Sequence, residues 1–338
     1  MRRPAAVNGL AHLARLVERF PGAQVVVAGD FMADEYVYGE TERISREAPV
    51  LIVRYERSEL RPGGAGNAAV NLAALGVSVR AVGMIGDDAL GAGLIDALVG
   101  AGVDVAGIQR VRGRFTESKT RILAGGRSTR RQQMLRVDRA PEGRLLPAAE
   151  ARFLRDLQRA ARGAAAVLAS DYGSGALGPA AREALVALRR GGVPVCADSR
   201  YRVVDYAGVT MAKPNEPELE AATGISVKAP GGLDRAARSL LRRLGCDAVL
   251  VTRGRNGMSL FRKGQPAVHV PAHGTFEAVD VTGAGDTVAA SYSAAVAAGG
   301  DAESAARIAN VAGALVVQKA GTATVTREEL LAEMAKPC

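Results

Sequence analysis

Val279-Asp280-Val281-Thr282-Gly283-Ala284-Gly285-Asp286-Thr287, followed at once by Val288-Ala289-Ala290-Ser291-Tyr292, is the stretch from which the rest of the chain is read. A Gly-x-Gly turn running into a helix of small residues leaves backbone N–H groups converging at the positive helix end. Those donors stabilise an anion, above all one that gains charge in a transition state. Asp286 adds a carboxylate at the same point. It would repel a resting phosphate, which makes chemical sense if it takes a proton from an attacking hydroxyl. A plain cap after a glycine turn would use the same residues.

A second Gly-rich turn enters a helix at Arg61-Pro62-Gly63-Gly64-Ala65-Gly66-Asn67-Ala68-Ala69-Val70-Asn71. Backbone approaches a ligand closely at Gly63 and Gly64. Asn67 and Asn71, four apart on one helical face, suit a polyhydroxylated substrate because each amide donates and accepts. A tight turn with two surface amides is the plainer reading. Asp30 and Asp34 follow the first strand, where open α/β sheets bind ligands, and are candidates for sugar hydroxyls. Lys213-Pro214-Asn215-Glu216-Pro217-Glu218 follows another strand; its amide and acids suit a hydrated Mg²⁺, or simply start a helix.

The 338 residues are 48% hydrophobic, enough to bury a large core and to exclude disorder as the main state. Short β-branched runs at 24–28, 79–84, 165–169, 194–197, 209–212 and 248–252 alternate with helical patterns. The helical stretches fall near 66–75, 90–101, 148–161, 179–190, 216–222, 233–244, 284–298 and 302–319, with a surface helix at the N-terminus. The alternation predicts an α/β fold, a mostly parallel sheet flanked by helices. Segments 34–61 and 111–138 break it with alternating strand patterns and no helix. They read as a small β-lid on a single domain spanning 1–338.

The net charge of +9 raises the question of nucleic acid, but 38 Arg and 6 Lys are dispersed and there is no Trp. No nucleic-acid partner is expected. No apolar run approaches the roughly 18 residues of a membrane helix, and the N-terminus lacks the pattern of a signal peptide. Cys196, Cys246 and Cys338 sit in neither disulfide nor zinc spacing, so a reduced, cytoplasmic setting is expected. The chain has no Gly-Lys pair, hence no P-loop, and His12, His269 and His273 form no H-E-x-x-H. One competing pattern is Gly173-x-Gly175-x-x-Gly178 with Asp198 ending the next strand, a dinucleotide loop of an NAD-dependent oxidoreductase. Against it, Pro179 reads as the first residue of the helix, beyond the third glycine.

Taken together, RPGGAGNAAVNLAALG (61–76) and DVTGAGDTVAAS (280–291) resemble the two signatures of the ribokinase/pfkB carbohydrate kinases. Gly83-Met84-Ile85-Gly86-Asp87-Asp88 and Asn215-Glu216-Pro217-Glu218 match further landmarks. The resemblance implies ATP, Mg²⁺ and a ribokinase-like core. Residues 29–36, 42–50, 131–138 and Ser170-Asp171-Tyr172 are similar to the heptose 7-phosphate kinase branch of ADP-heptose synthesis, which supplies lipopolysaccharide precursors. That implies phosphorylation of the anomeric hydroxyl of D-glycero-β-D-manno-heptose 7-phosphate, with a fructose phosphate or ribose-like sugar as the alternative. Gly173-Ser174 and Ser199-Arg200 depart from the lysines usual there. The chain ends at Cys338, so a fused nucleotidyltransferase domain is not expected.

By the resemblance, Asp286 is the general base and the Gly283, Ala284 and Gly285 amides stabilise the transferring phosphoryl. Asp30, Asp34, Gly63, Gly64 and Asn67 face the sugar. Lys119, Arg121 and Arg136, at alternating lid positions, face its phosphate. Asn215, Thr252, Gly254 and Asn310 lie near the nucleotide, and Glu218 serves Mg²⁺ through water. An uncovered lid edge invites pairing, so a homodimer through the lids is expected.

Overall fold

Val25, Val26 and Val27 sit at the centre of the molecule, fully buried, and their side chains enter different cores on the two faces of one sheet. This is the period-two reading of a parallel strand covered on both sides. The computed structural model describes residues 5–126, 131–141, 146–274 and 278–336. Cys338 and positions 127–130 of the expected lid lie outside the described residues.

In chain order the elements are α1 (Ala5–Glu18), β1 (Gln24–Gly29), β2 (Phe31–Ile44), β3 (Leu51–Gly64), α2 (Ala65–Ala74), β4 (Ser78–Gly86), α3 (Ala89–Gly100) and β5 (Asp104–Val111). Next come β6 (Glu117–Gly125), β7 (Gln132–Arg139), α4 (Pro147–Ala160), β8 (Ala166–Asp171), α5 (Pro179–Arg190), β9 (Val195–Ser199), β10 (Met211–Ala212) and α6 (Glu216–Thr223). The last are α7 (Gly232–Leu244), β11 (Ala248–Thr252), β12 (Met258–Arg262), β13 (Val268–Val270), α8 (Ala284–Ala297), α9 (Ala302–Val316) and α10 (Arg327–Met334).

The large sheet has the order β13-β12-β11-β10-β9-β8-β1-β4-β5. It is parallel from β11 to β5, with β12 and β13 antiparallel at one edge. Residues of α1, α2, α3, α8, α9 and α10 fill one core, and those of α4 to α7 the other. The sequence reading omits β5, β12, β13 and α10, and it gives β10 four residues where two pair. Polar residues interrupt those strands, so no continuous apolar run marks them.

The two excursions from the alternation join as one four-stranded sheet, β3-β2-β6-β7, in which β2 and β6 are parallel and both outer pairs antiparallel. No helix among the described residues is long and apolar enough to cross a membrane.

Candidate active site

Small residues let α2 and α8 pack closely, and the polar side chains between them form one buried chain. Asn71 accepts from the Thr287 hydroxyl at 3.0 Å and donates to Asn67 Oδ1 at 3.0 Å. Asn67 Nδ2 donates to Asp286 Oδ2 at 2.8 Å and lies 3.4 Å from the Gly283 carbonyl. Gly283 has φ +77°, and an added Cβ would stand 2.5 Å from Asn67 Nδ2, so only glycine fits this turn. The two motifs therefore form a single site. Asn67, expected at the sugar, is buried here and its amide holds Asp286 in place.

Asp286 is only 5% exposed. Burial pushes its carboxyl up to about 6 and the nearby Asp198 adds to this, while hydrogen bonds from Tyr172 and Asn67 oppose the rise. The Tyr172 hydroxyl donates to Oδ1 at 2.6 Å. Ala284 N–H, expected in the anion hole, closes the turn onto the Val281 carbonyl at 3.2 Å. Among the described residues the N–H groups of Gly283, Gly285 and Asp286 meet no acceptor, and they are the donors left at this helix end.

Residues at the ends of β1, β8, β9 and β10 surround this helix end. Asp30 Oδ2 accepts from Tyr172 N–H at 2.8 Å and Ser174 N–H at 3.0 Å, and Oδ1 accepts from Ala176 N–H at 3.0 Å. Asp30, expected among the sugar ligands, thus holds the loop that carries Tyr172. Lys213, buried at the end of β10, pairs with Asp198 at 3.0 Å. Burial works against its charge, but Asp198, Glu218 and Asp286 more than compensate and hold its ammonium charged. A Cβ at Gly285 would lie 3.6 Å from Lys213 Nζ, so this cation borders the anion hole. Lys213, like Tyr172, is a candidate that the sequence reading left out of the site, although it stands directly before the Pro-Asn-x-Pro-Glu turn.

Asn215 and Glu218 form a reciprocal capping box on α6, with the Asn215 side chain accepting from Glu218 N–H at 2.8 Å and Glu218 Oε2 from Asn215 N–H at 2.9 Å. Helix initiation thus accounts for this pattern, and burial raises the Glu218 carboxyl. An isolated bridge sets Asn215 beside Thr252, and Gly254 opens the turn after β11. Asn310, on α9, donates to the Pro271 carbonyl at 2.8 Å and ties down the loop after β13.

Cross-strand register puts Arg61, Asp34, Lys119 and Asp138 in one row of the small sheet, and Glu59, Tyr36, Arg121 and Arg136 in the next, on the same face. Asp34 takes a hydrogen bond from Arg121 at 2.6 Å, and a Cβ at Gly63 would meet Asp34 Oδ2 at 2.6 Å. Lys119 Nζ lies 5.5 Å from the centre of the Tyr172 ring and 3.7 Å from Glu117, which joins this face to the base. Arg136 is exposed and pairs with Asp138 at 2.8 Å. Arg61 reaches the Ala320 and Thr322 carbonyls instead of open space.

The dinucleotide-loop reading fails on geometry. Gly178 is the residue before α5, outside the helix, and Asp198 is engaged with Lys213. A third glycine packing within the helix and a free acid for ribose are both missing.

The sequence pattern of the pfkB family carbohydrate kinases matches residues 23–329. The bifunctional protein HldE of Geotalea uraniireducens is 42% identical over 313 residues, 92% of this chain and 63% of that protein. That of Caulobacter vibrioides is 42% identical over 331 residues, 96% of this chain and 65% of the relative. The chain thus spans somewhat under two thirds of the length of these relatives. Among solved structures, Arabidopsis thaliana ribokinase complexed with ribose and ATP superposes with TM-score 0.71 at 23% identity, covering 93% of this chain and 99% of that one. Phosphofructokinase-2 from Escherichia coli superposes at 0.76 with 18% identity and the same coverage, so both show a shared fold.

Proposed function

The chain belongs to the pfkB family of carbohydrate kinases, enzymes that move a phosphoryl group onto an alcohol, and from that premise we propose that it uses ATP to phosphorylate the anomeric hydroxyl of D-glycero-β-D-manno-heptose 7-phosphate. The single observation that carries the chemistry is Asp286, buried at the start of α8 beside unpaired amides and the Lys213 cation. The acceptor oxygen attacks the γ-phosphorus and its proton goes to Asp286. The bond from that phosphorus to the bridging oxygen breaks, and its electron pair leaves on ADP. A base poised near 6 is mostly ionised at neutral pH yet able to hold a proton. The Gly283 and Gly285 amides and Lys213 stabilise the charge on the transferring group.

Asn215, Thr252, Gly254 and Asn310 frame the nucleotide side. Among the described residues no group of three or more His, Cys, Asp or Glu side chains is arranged to hold a metal. That fits Mg²⁺, which keeps its waters and the substrate phosphates and asks the protein for only one or two carboxylates. Glu218, with one oxygen outside the capping box, would hold the ion through water, and the ion would neutralise triphosphate charge when bound. The β3-β2-β6-β7 sheet acts as a lid over the sugar. Its other face carries Tyr55, Leu135 and Val137, exposed by 63%, 56% and 51%, which supports a homodimer through paired lids.

The heptose phosphate assignment rests on the sequence motifs and on the HldE relatives. One observation favours a second reading, a kinase for an unphosphorylated sugar: Lys119, Arg121 and Arg136 each already face a carboxylate. A sugar phosphate must exchange with those partners. ADP release with heptose 7-phosphate, fructose 6-phosphate and ribose separates the readings, with phosphorus NMR locating the new phosphate. Turnover of ribose and none of heptose 7-phosphate would overturn the first.

A further inference from the structure

We propose that Tyr172 is a seal on the base: without sugar its hydroxyl holds Asp286 Oδ1, and the acceptor hydroxyl of the sugar takes its place. This rests on the kinase reading of the site. The 2.6 Å contact is short, as expected for a hydroxyl donating to a carboxylate. Asn67 occupies the other oxygen at 2.8 Å, so each oxygen of the buried carboxylate already has a donor. Burial and the neighbouring Asp286 carboxylate raise the phenol well above its ordinary range, so it remains a donor and cannot serve as a base itself.

The loop is held through its backbone, and the ring's own hydrogen bond is the one its hydroxyl makes to Asp286. Asp30 binds three backbone amides of the segment, and Arg114 donates to the Ser174 carbonyl at 2.8 Å. The phenol can therefore swing by side-chain rotation while the backbone stays anchored. Lys119 over the ring couples that swing to the sheet that faces the sugar.

Such a seal matters because ATP bound without sugar is exposed to wasteful hydrolysis. In that side reaction a water oxygen bonds to the γ-phosphorus. The bond to the bridging oxygen breaks with its electrons leaving on ADP, and the water proton goes to Asp286. The Tyr172 hydroxyl occupies the position from which that proton would be delivered. Tyr172 acts through Asp286 and is a positioning residue.

The test is ADP release from Mg-ATP in the absence of sugar, measured from pH 5 to 8 for the parent chain and Tyr172→Phe. The expected result is about a tenfold rise, with the acid limb displaced to higher pH because the phenol no longer holds the Asp286 carboxyl down. Release at or below the parent rate, or an acid limb that does not move, would overturn the assignment. Tyr172→Ala supplies a check that does not depend on one variant: added p-cresol should suppress its ADP release and toluene should not, and equal effects of the two also overturn it. The measurement needs no sugar. A parent chain that phosphorylates no heptose phosphate therefore defeats the substrate assignment while the seal stands or falls on these rates.

Discussion

Asp286 shows how one side chain acquires its chemistry from three directions. Burial raises its carboxyl, Tyr172 and Asn67 restrain the rise, and Lys213 sits close enough to favour the charged form. Asp286→Asn is expected to lower kcat by about 10²–10⁴-fold, the usual contribution of a positioned base, while calorimetric ATP binding persists. The same variant should be more stable than the parent at pH 8. The folded carboxyl titrates near 6 against an ordinary 3.8, so its contribution to stability is present below about 4 and is lost as pH rises through 6. Removing the charge restores on the order of 3 kcal/mol, to be read as a higher thermal midpoint at pH 8 than the parent. Activity runs the opposite way: kcat should fall about tenfold per unit as pH drops below 6, and a flat profile down to pH 5 would exclude Asp286 as the base. The carboxylate and its glycine turn are legible in the sequence. Its partners are not, because Asn67, Tyr172 and Lys213 come from loops and helices distant in the chain.

Helix ends carry most of the site, and two of them differ in kind. The start of α8 leaves amides open, whereas the start of α6 is closed by its own Asn215–Glu218 box. Asn215→Ala should therefore lower stability by about 0.5–2 kcal/mol, while Asn215→Asp keeps the cap and most of the thermal midpoint. If Asn215 also contacts nucleotide, both variants raise the KM for ATP; a KM unchanged in Asn215→Asp would leave it a cap alone. The sequence pattern was compatible with either role, since the oxygen that caps a helix and the oxygen that holds a ligand are the same atom type. Elements with a strong period, such as β1 and α5, were readable almost to the residue. The antiparallel strands β12 and β13 were not, because they are short and polar residues such as Ser259 and His269 interrupt their apolar runs.

Across the whole molecule, the small sheet has two unlike faces. One carries Asp34, Lys119 and Arg121 toward the site; the other turns Tyr55, Leu135 and Val137 to solvent along edge strands β3 and β7. If two lids pair there, Leu135→Glu together with Val137→Glu should convert a dimer to a monomer in sedimentation velocity at micromolar concentration. A parent chain that sediments as a monomer would dismiss the pairing. The sequence by itself determined the parallel α/β core, through buried β-branched runs alternating with helical periods, and it marked both glycine turns as ligand approaches. Periodicity is a local property and survives in one dimension. Only the tertiary structure decided that the two turns share one site, that Asn67 braces Asp286 and Asp30 the Tyr172 loop, and that Lys213 and Tyr172 belong beside Asp286. Those facts depend on which strand ends the sheet order brings together, and no local pattern encodes that adjacency.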